Sequence, residues 1–157
     1  MRQRGFTYVG LLLLVAMLGA GLAGAGTLWS TESRRDREAE LLFVGEQFRR
    51  AIAAFRERTP VGQQARFPRS LEELVEDRRW PTARRHLRKV FFDPVTGTRE
   101  WGLVRTPGGE ITGVHSLSPL RPLKQGGFPV PMADFENAST YADWRFTYQA
   151  PEAAATN

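Results

Sequence analysis

The residues of this chain that could take part in catalysis are few. Only two histidines are present, His86 and His115, and there is no cysteine, which excludes thiolate nucleophiles, disulfides and thiolate metal sites. No Gly-x-Ser-x-Gly motif occurs, and the histidines lack the spacing of a metal-binding pair. His86 lies in a basic run and His115 in a predicted strand. A histidine in such a position is more often an ordinary surface or sheet residue than a catalytic one. We therefore expect no enzymatic activity, no catalytic residue and no cofactor.

The densest charge lies between Arg78 and Lys89, where six of twelve residues are basic and none is acidic. Exposed arginines can neutralise phosphates, so the second half of the run is a candidate contact to DNA or to a protein partner. Those candidate residues are Arg84, Arg85, Arg88 and Lys89. Four acidic residues precede the run and can pair with it: Glu72, Glu73, Glu76 and Asp77. Their proximity favours a solvated or subunit-contact surface over nucleic-acid binding.

The N-terminal segment has a different character, because from Phe6 to Trp29 there are 24 residues without a charge. As an α-helix with a rise of about 1.5 Å per residue, this run spans about 36 Å, enough to cross a hydrocarbon core of about 30 Å. A secretory signal peptide has a shorter apolar region of about 7–15 residues. Arg2 and Arg4 precede the run and favour a cytoplasmic N-terminus, but arginines also follow it, so the charges alone do not decide the orientation.

The segment Arg4-Gly5-Phe6-Thr7-Tyr8-Val9 resembles the type III signal of type IV prepilins and type II secretion pseudopilins. In that family a prepilin peptidase cleaves after the glycine of a basic leader and methylates the new phenylalanine amine. The resemblance implies removal of the leader 1–5 by cleavage between Gly5 and Phe6. Loss of five residues from 157 leaves 152, with a methylated Phe6 at the new N-terminus.

The same resemblance implies a location and a set of partners. The chain would be a single-pass protein of the inner membrane, with a cytoplasmic N-terminus and a periplasmic C-terminal domain. Other pilin or pseudopilin subunits and an inner-membrane assembly platform would then build it into a periplasmic or surface filament.

One position departs from the family pattern. The family usually has glutamate five residues after the cleavage site, where it neutralises the amine of a neighbouring subunit, and this chain has Gly10 there. Since an unpaired carboxylate in lipid is costly, the usual glutamate serves assembly, and its loss favours a minor or specialised subunit. Small residues on one face also let helices approach closely, and the candidates for such packing are Gly10, Ala16, Ala20 and Gly24.

After the apolar run the chain becomes polar but keeps helical periodicity. Spacings of three and four predict one apolar stripe on an amphipathic helix, formed by Leu41, Val44, Phe48, Ile52 and Phe55. Thr59-Pro60 ends the helix, because the residue before proline disfavours the α region. The expected organisation is a membrane or filament-core helix over 6–29, its amphipathic continuation over 30–58, a globular domain over 59–150 and a disordered tail over 151–157.

The globular part shows turn and strand signals. Ser70 and Glu73 predict a capping box that opens a short helix, and the segment 93–97 predicts a turn. Strands are expected over 100–105 and 110–117 around a Pro-Gly-Gly turn, with a third over 144–148. The core candidates among them are Trp101, Leu103, Trp144 and Phe146.

These elements predict an α+β protein with the pilin fold: a long N-terminal helix packed on a small antiparallel sheet of three or four strands. The segments DPVTGTREWGLV and YADWRFTY also resemble G-type pseudopilin-like proteins. Those relatives often bind calcium in C-terminal loops, where this chain offers Asp134, Glu136 and Asp143 without a recognisable ligand spacing.

Three functions follow as hypotheses. The first is a structural subunit of a type II secretion or type IV pilus filament. The second is a DNA-binding minor pilin of an uptake system, and the third is a plain membrane-anchored periplasmic binding domain.

Overall fold

The computed structural model describes residues 4–149, with the side chains of 4–7, 18–31 and 131 left out of that description. The chain divides after Asp36 into two compact units. The helix α1 is assigned over Arg4–Glu57, so its residues from 37 onward belong to the second unit. That unit also holds the short helix α2 (Glu72–Val75) and three strands, β1 (Gly102–Arg105), β2 (Ile111–His115) and β3 (Phe146–Thr147). The protein is therefore α+β, as predicted.

The apolar stripe of α1 forms one side of the core. All five predicted stripe residues have exposed fractions of 3% or less, which confirms the prediction from periodicity. The helical period also places Ala51 on this face, and it is buried as well. Burial of large aliphatic and aromatic side chains contributes roughly 1.5–3 kcal/mol each, so this stripe is a main source of the stability of the second unit.

The other side of the core is an antiparallel sheet with the strand order β1-β2-β3. β1 pairs with β2 through Leu103↔Val114 and neighbouring positions, with an irregularity between Val104 and Arg105. β3 pairs with β2 over two residues, so the predicted third strand is real but shorter than expected. Trp144 lies before the ladder, after a 3₁₀ turn over Tyr141–Asp143, and is fully buried.

Helix and sheet meet closely at Gly45. A Cβ atom built on Gly45 would overlap the ring of Phe146 on β3, and both residues are buried. Glycine at this helical position costs roughly 1 kcal/mol relative to alanine. Because Gly45 has no side chain, the ring of Phe146 can pack directly against the helix backbone.

Aromatic side chains from the C-terminal segment complete the core. Trp144 stacks on Phe135 at 5.6 Å between ring centroids and makes edge contacts with Phe128 and Tyr141. Phe135 in turn meets Phe146 edge-on at 5.0 Å. Such pairs stabilise by about 0.5–1.5 kcal/mol beyond their area burial, and they hold a segment that contains little regular structure.

Two local predictions have opposite outcomes. The turn over 93–97 is confirmed: the amide of Gly97 donates to the carbonyl of Asp93 at 2.7 Å, and Gly97 has φ +73°. The capping box at Ser70 and Glu73 is wrong, since Leu71 precedes α2 and no side chain caps it. The carboxylate of Glu73 bonds instead to Arg66 at 2.9 Å. The reciprocal box that the structure does contain joins Thr140 and Asp143.

In the first unit, the described side chains from Tyr8 to Met17 are exposed, and most of them are large and apolar. Over the described residues, no helix is both long and apolar enough to qualify as a membrane span. The predicted span 6–29 falls largely on side chains outside the description, namely 6–7 and 18–29. It stays a prediction, as does the disordered tail 151–157, which lies wholly outside the described residues.

The contact at Gly45 gives a stability prediction. We expect Gly45→Ala to destabilise the protein by about 1–3 kcal/mol, because the added methyl group overpacks the Phe146 contact. Elsewhere in a helix the same change would stabilise by about 1 kcal/mol, so the sign of the effect is diagnostic. Thermal unfolding of the detergent-solubilised chain, followed by near-UV circular dichroism, measures the difference.

Gly108→Ala is the matched control, because a Cβ at Gly108 meets only the Thr106 hydroxyl, at an ordinary 3.6 Å. The control should unfold at nearly the wild-type temperature. A Gly45→Ala protein as stable as wild type would contradict the close packing of α1 on β3.

Candidate functional site

A buried carboxylate on α1 holds the irregular C-terminal segment. Glu38 is 6% exposed and accepts hydrogen bonds from the amides of Leu123 and Lys124, at 2.7 and 2.9 Å. The hydroxyl of Tyr141 donates to the same carboxylate at 2.8 Å. Charge-assisted hydrogen bonds of this kind are stronger than neutral ones, and here they tie the segment around 120–141 to the helix.

A second buried carboxylate organises the basic run. Asp77 is 1% exposed and receives the guanidinium of Arg79 at 2.7 and 2.9 Å and a ring nitrogen of His86 at 3.0 Å. Arg79 also donates to the carbonyl of Phe55 and lies 3.6 Å from the centre of that ring. The start of the basic run is therefore fixed to the end of α1.

These contacts set the pKa of Asp77. Burial by itself raises the pKa, but the hydrogen bonds from Arg79 and His86 and the positive charge of Arg79 outweigh it and lower the pKa to about 2. The carboxylate is consequently ionised throughout the ordinary pH range. The sequence-based expectation that acidic residues pair with the run is confirmed here, and also at the exposed pair Arg78–Glu76, 3.1 Å apart.

The backbone of the run is anchored as well. Asp77 and Arg84 exchange backbone hydrogen bonds of 2.8 and 3.2 Å, and the amides of His86 and Leu87 both donate to the carbonyl of Leu74 in α2. The side chain of Leu87 is buried in the core. Because Leu87 points inward, the position of the backbone is fixed immediately before Arg88 and Lys89.

The four predicted contact residues are all exposed, but they lie in two settings. The guanidinium of Arg84 covers the ring of Trp80 at 3.7 Å, and neither Arg84 nor Arg85 borders a described hollow. Arg88 and Lys89 border two of them. We call this pair the basic ridge.

On one side of the basic ridge is a hollow of about 860 Å³ between α2 and β1, here called the α2 groove. Part of the α2 groove is apolar. Its apolar side chains come from α2, from the residue after the ridge, from the residue before β1 and from β1 itself: Val75, Val90, Trp101 and Leu103. Further basic side chains line the same groove: Arg69, Arg99 and Arg105.

On the other side is a hollow of about 530 Å³, here called the α1 hollow. It is bordered by Phe43 and Gln47 of α1 and by Phe91. Phe43 is 62% exposed, which is unusual for an aromatic residue on the helix that supplies the core stripe. The basic ridge thus borders two recesses, and both have apolar surface.

Both histidines make contacts within the second unit. His86 is engaged with Asp77, and the ring nitrogen Nδ1 of His115 lies 2.9 Å from the carbonyl of Ser116. The ring of His115 covers Gly102 on the neighbouring strand, where a Cβ would overlap it. Both therefore have structural contacts, one beneath the basic run and one in the sheet.

Two of the three calcium candidates have other contacts. Asp143 accepts hydrogen bonds from the amide and the hydroxyl of Thr140. Both bonds lower the pKa of Asp143, and the bond from the amide has the larger effect. Glu136 accepts from the amide of Gly127 at 3.3 Å, and Asp134 is exposed. Over the part of the chain that the structure describes, no three His, Cys, Asp or Glu residues are grouped so as to hold a metal ion.

The predicted processing and packing residues lie in the first unit. The side chains of Gly5, Phe6, Ala20 and Gly24 are outside the described ones, so those predictions stay predictions. Gly10 and Ala16 are exposed. Among the atoms that the structure describes, apart from the adjacent helix backbone, a Cβ at Gly10 would meet none within 4 Å.

Sequence reasoning missed Glu38 and Phe43. Glu38 lies one position after Arg37 in a charged stretch that reads as solvated helix surface, and its partners are backbone amides 85 and 86 residues away. Phe43 adjoins the stripe residues Leu41 and Val44, but a helical wheel places it off their face. The position of Phe43 off the stripe on the helical wheel could have predicted that this aromatic side chain is exposed.

We expect Glu38→Ala to destabilise the second unit by about 2–4 kcal/mol, because two amides and a phenol lose their buried acceptor. Hydrogen exchange measured by mass spectrometry should speed up at Leu123 and Lys124. Glu40→Ala is the matched control on the same helix, since Glu40 is exposed, and it should leave exchange unchanged. Unchanged protection of these amides in Glu38→Ala would show that the carboxylate does not hold the segment.

Asp77 gives a pH prediction. Its folded pKa of about 2 lies below the ordinary value of 3.8, so its stabilising contribution is complete above about pH 4 and is lost as the pH falls toward 2. The contribution is on the order of 2 kcal/mol. The stability difference between wild type and Asp77→Asn should therefore shrink between pH 4 and pH 2 in denaturant titrations.

Glu76→Gln is the control for this titration, because Glu76 has an arginine partner but is exposed. The difference between wild type and Glu76→Gln should be small at every pH. If the difference in unfolding free energy between wild type and Asp77→Asn stayed constant from pH 4 to pH 2, the pH-dependent stability would not come from the Asp77 carboxylate.

Comparisons of the chain with protein-family models, with curated proteins and with solved structures returned no match.

Proposed function

We propose that the protein is a structural subunit, a pseudopilin or minor pilin, of a type II secretion or type IV pilus filament. The observation that carries this proposal is the sequence of Arg4 to Val9: a basic leader, then Gly-Phe-Thr, at the edge of 24 uncharged residues. Gly-Phe-Thr alone is a weak signal. Its position at the start of an apolar run long enough to cross a bilayer is what gives it weight.

The second unit supports the proposal through its architecture. A helix whose apolar stripe packs on a three-stranded antiparallel sheet is compatible with the globular part of a pilin-like subunit. In that arrangement the helix preceding the stripe first anchors the chain in the inner membrane and later packs in the filament core. The pilin fold as a whole is part of the proposal.

The exposed apolar side chains of the first unit add a physical argument. From Leu11 to Leu14 each leucine is at least half exposed, and a soluble monomer rarely leaves such a contiguous apolar surface in water. Lipid or neighbouring helices would cover it. Small residues such as Gly10 and Ala16 would then allow close helix packing.

Gly10 favours a minor or specialised subunit within this class. The family usually places a carboxylate there to neutralise a neighbour's N-terminal amine. The described residues leave space for a side chain at this position, so no described contact accounts for the glycine. A subunit at the end of a filament, with no neighbour that needs this pairing, would not require the carboxylate.

The test is the mass of the mature protein. Expressed with a prepilin peptidase, the chain should lose residues 1–5 and begin at Phe6, with a gain of about 14 Da for each methyl group on the amine. Without the peptidase it should begin at Met1 or at Arg2. Intact-protein mass spectrometry with N-terminal peptide mapping distinguishes these products.

Gly5→Val should abolish cleavage, because the leader of the family that this segment resembles ends in glycine at the cut and a branched side chain would then occupy that position. Gly10→Val is the matched control: it is the same exchange, five residues further on, in open space. It should be cleaved normally. A chain that keeps its first five residues in the presence of active peptidase would favour a plain membrane-anchored periplasmic domain instead.

A further inference from the structure

We propose that the basic ridge and its two flanking hollows form a docking site for an extended acidic segment of another protein. The segment that fits has two adjacent carboxylates with apolar side chains on both sides. This inference concerns the second unit alone and goes beyond a role as a filament subunit.

The charge of the surface is the first argument. No described carboxylate lies within ion-pair distance of Arg88 or Lys89. The α2 groove contains five basic side chains, counting the ridge, against the two acids Glu72 and Glu76. Glu76 is paired outside this set, with Arg78. The surface therefore holds an excess of positive charge that an acidic partner would complement.

The apolar surface on both sides of the ridge is the second argument. Phe43 is 62% and Phe92 50% exposed, one in each hollow. Arg99 lies 4.6 Å from the centre of the Phe92 ring, and Lys89 lies 5.4 Å from that of Phe91. Cations held against aromatic rings present charge and apolar area together, as polypeptide interfaces commonly do.

The ridge is also fixed in position before any partner arrives. Leu87 is buried, and the amides of His86 and Leu87 are bonded to α2. The indole of Trp101 donates to the carbonyl of Phe91 at 2.9 Å, which holds the chain on the other side. A fixed backbone lowers the ordering cost of binding.

A second copy of this chain does not supply the segment. The chain has two adjacent acidic pairs, and only Glu72-Glu73 has apolar residues on both sides. Those neighbours, Leu71 and Leu74, are buried in the core of the same subunit. A different polypeptide must therefore provide the pattern.

A nucleic acid fits the surface less well than a peptide. A nucleic acid carries a phosphate at every nucleotide, so some phosphates would lie against Glu72 and Glu76, which line the α2 groove. A peptide can confine its two carboxylates to the basic ridge. Apolar side chains of a peptide match the lining of both hollows directly.

The experiment uses the full chain in detergent micelles and fluorescein-labelled peptides in fluorescence anisotropy. The probe is Leu-Val-Glu-Glu-Val-Leu with blocked termini. One control peptide replaces both glutamates by glutamine, and another replaces the apolar residues by serine and glycine. We expect the probe to bind and each control to bind about tenfold more weakly or worse, because each lacks one of the two contributions.

The protein variants localise the site. The double variant Arg88→Glu/Lys89→Glu should weaken binding of the probe by about tenfold or more. The double variant Arg84→Glu/Arg85→Glu makes the same change of charge in the same basic run but outside the hollows, and it should change binding less than about twofold. Phe43→Ser should weaken binding without altering charge. Near-UV circular dichroism confirms that each variant is folded.

Four outcomes would overturn the proposal. Equal losses from both double variants would mean general attraction between opposite charges. Tighter binding of a single-stranded oligothymidylate that depends on Arg88 and Lys89 would assign the surface to nucleic acid. Self-association in sedimentation that Arg88→Glu/Lys89→Glu abolishes would assign it to a second copy. Failure of the probe to bind at all would exclude an acidic-apolar segment as the occupant.

Discussion

The second unit depends on the contact between the apolar stripe of α1 and the sheet. Residues from Leu41 to Phe55 supply one continuous face, and the strands are too short to be stable without it: β3 has only two residues, and small sheets need a packed apolar face to persist. Gly45 allows the Phe146 ring to lie directly against the helix backbone. The position of β3, and of the aromatic cluster around Trp144, follows from that contact.

Three buried carboxylates then fasten the parts of the chain that have little regular structure. Glu38 holds the segment around 120–141, and Asp77 holds the basic run. Asp93, fully buried, accepts the amides of Val95 and Thr96 and the hydroxyl of Ser116 at 2.6 Å. In other small domains disulfides often secure such segments, but this chain has no cysteine. Each carboxylate accepts hydrogen bonds from three or more donor atoms, so it fixes a loop while its own hydrogen-bonding capacity is used.

The sequence predicted the parts of this fold that depend on local pattern. The stripe follows from a period of 3.6 residues, and the β1–β2 hairpin follows from two strand-like runs around Pro-Gly-Gly. Contacts between distant residues were not predictable. Glu38 bonds to backbone amides, which carry no side-chain signature, and the failure of the capping box at Ser70 follows from a competing partner, Arg66, that binds Glu73.

The candidate docking surface shows the same limit. Charge density identified the basic run, but nothing in the run distinguishes Arg88 and Lys89 from Arg84 and Arg85. That distinction arises because Leu87 turns inward and because Phe43, from α1, is folded next to the ridge. The composition of the sequence therefore predicted the basic run. Only tertiary packing distinguishes Arg88 and Lys89 within it.

The pKa of Asp77 has a consequence for how such a surface would respond to pH. With a pKa of about 2, the carboxylate that anchors the basic run stays ionised wherever a partner's ordinary carboxylates, with pKa values of about 4, are still charged. The surface therefore keeps its shape while the partner titrates. Binding of an acidic segment would weaken on acidification because the partner's carboxylates are protonated, at a pH where the anchor beneath the ridge is still intact.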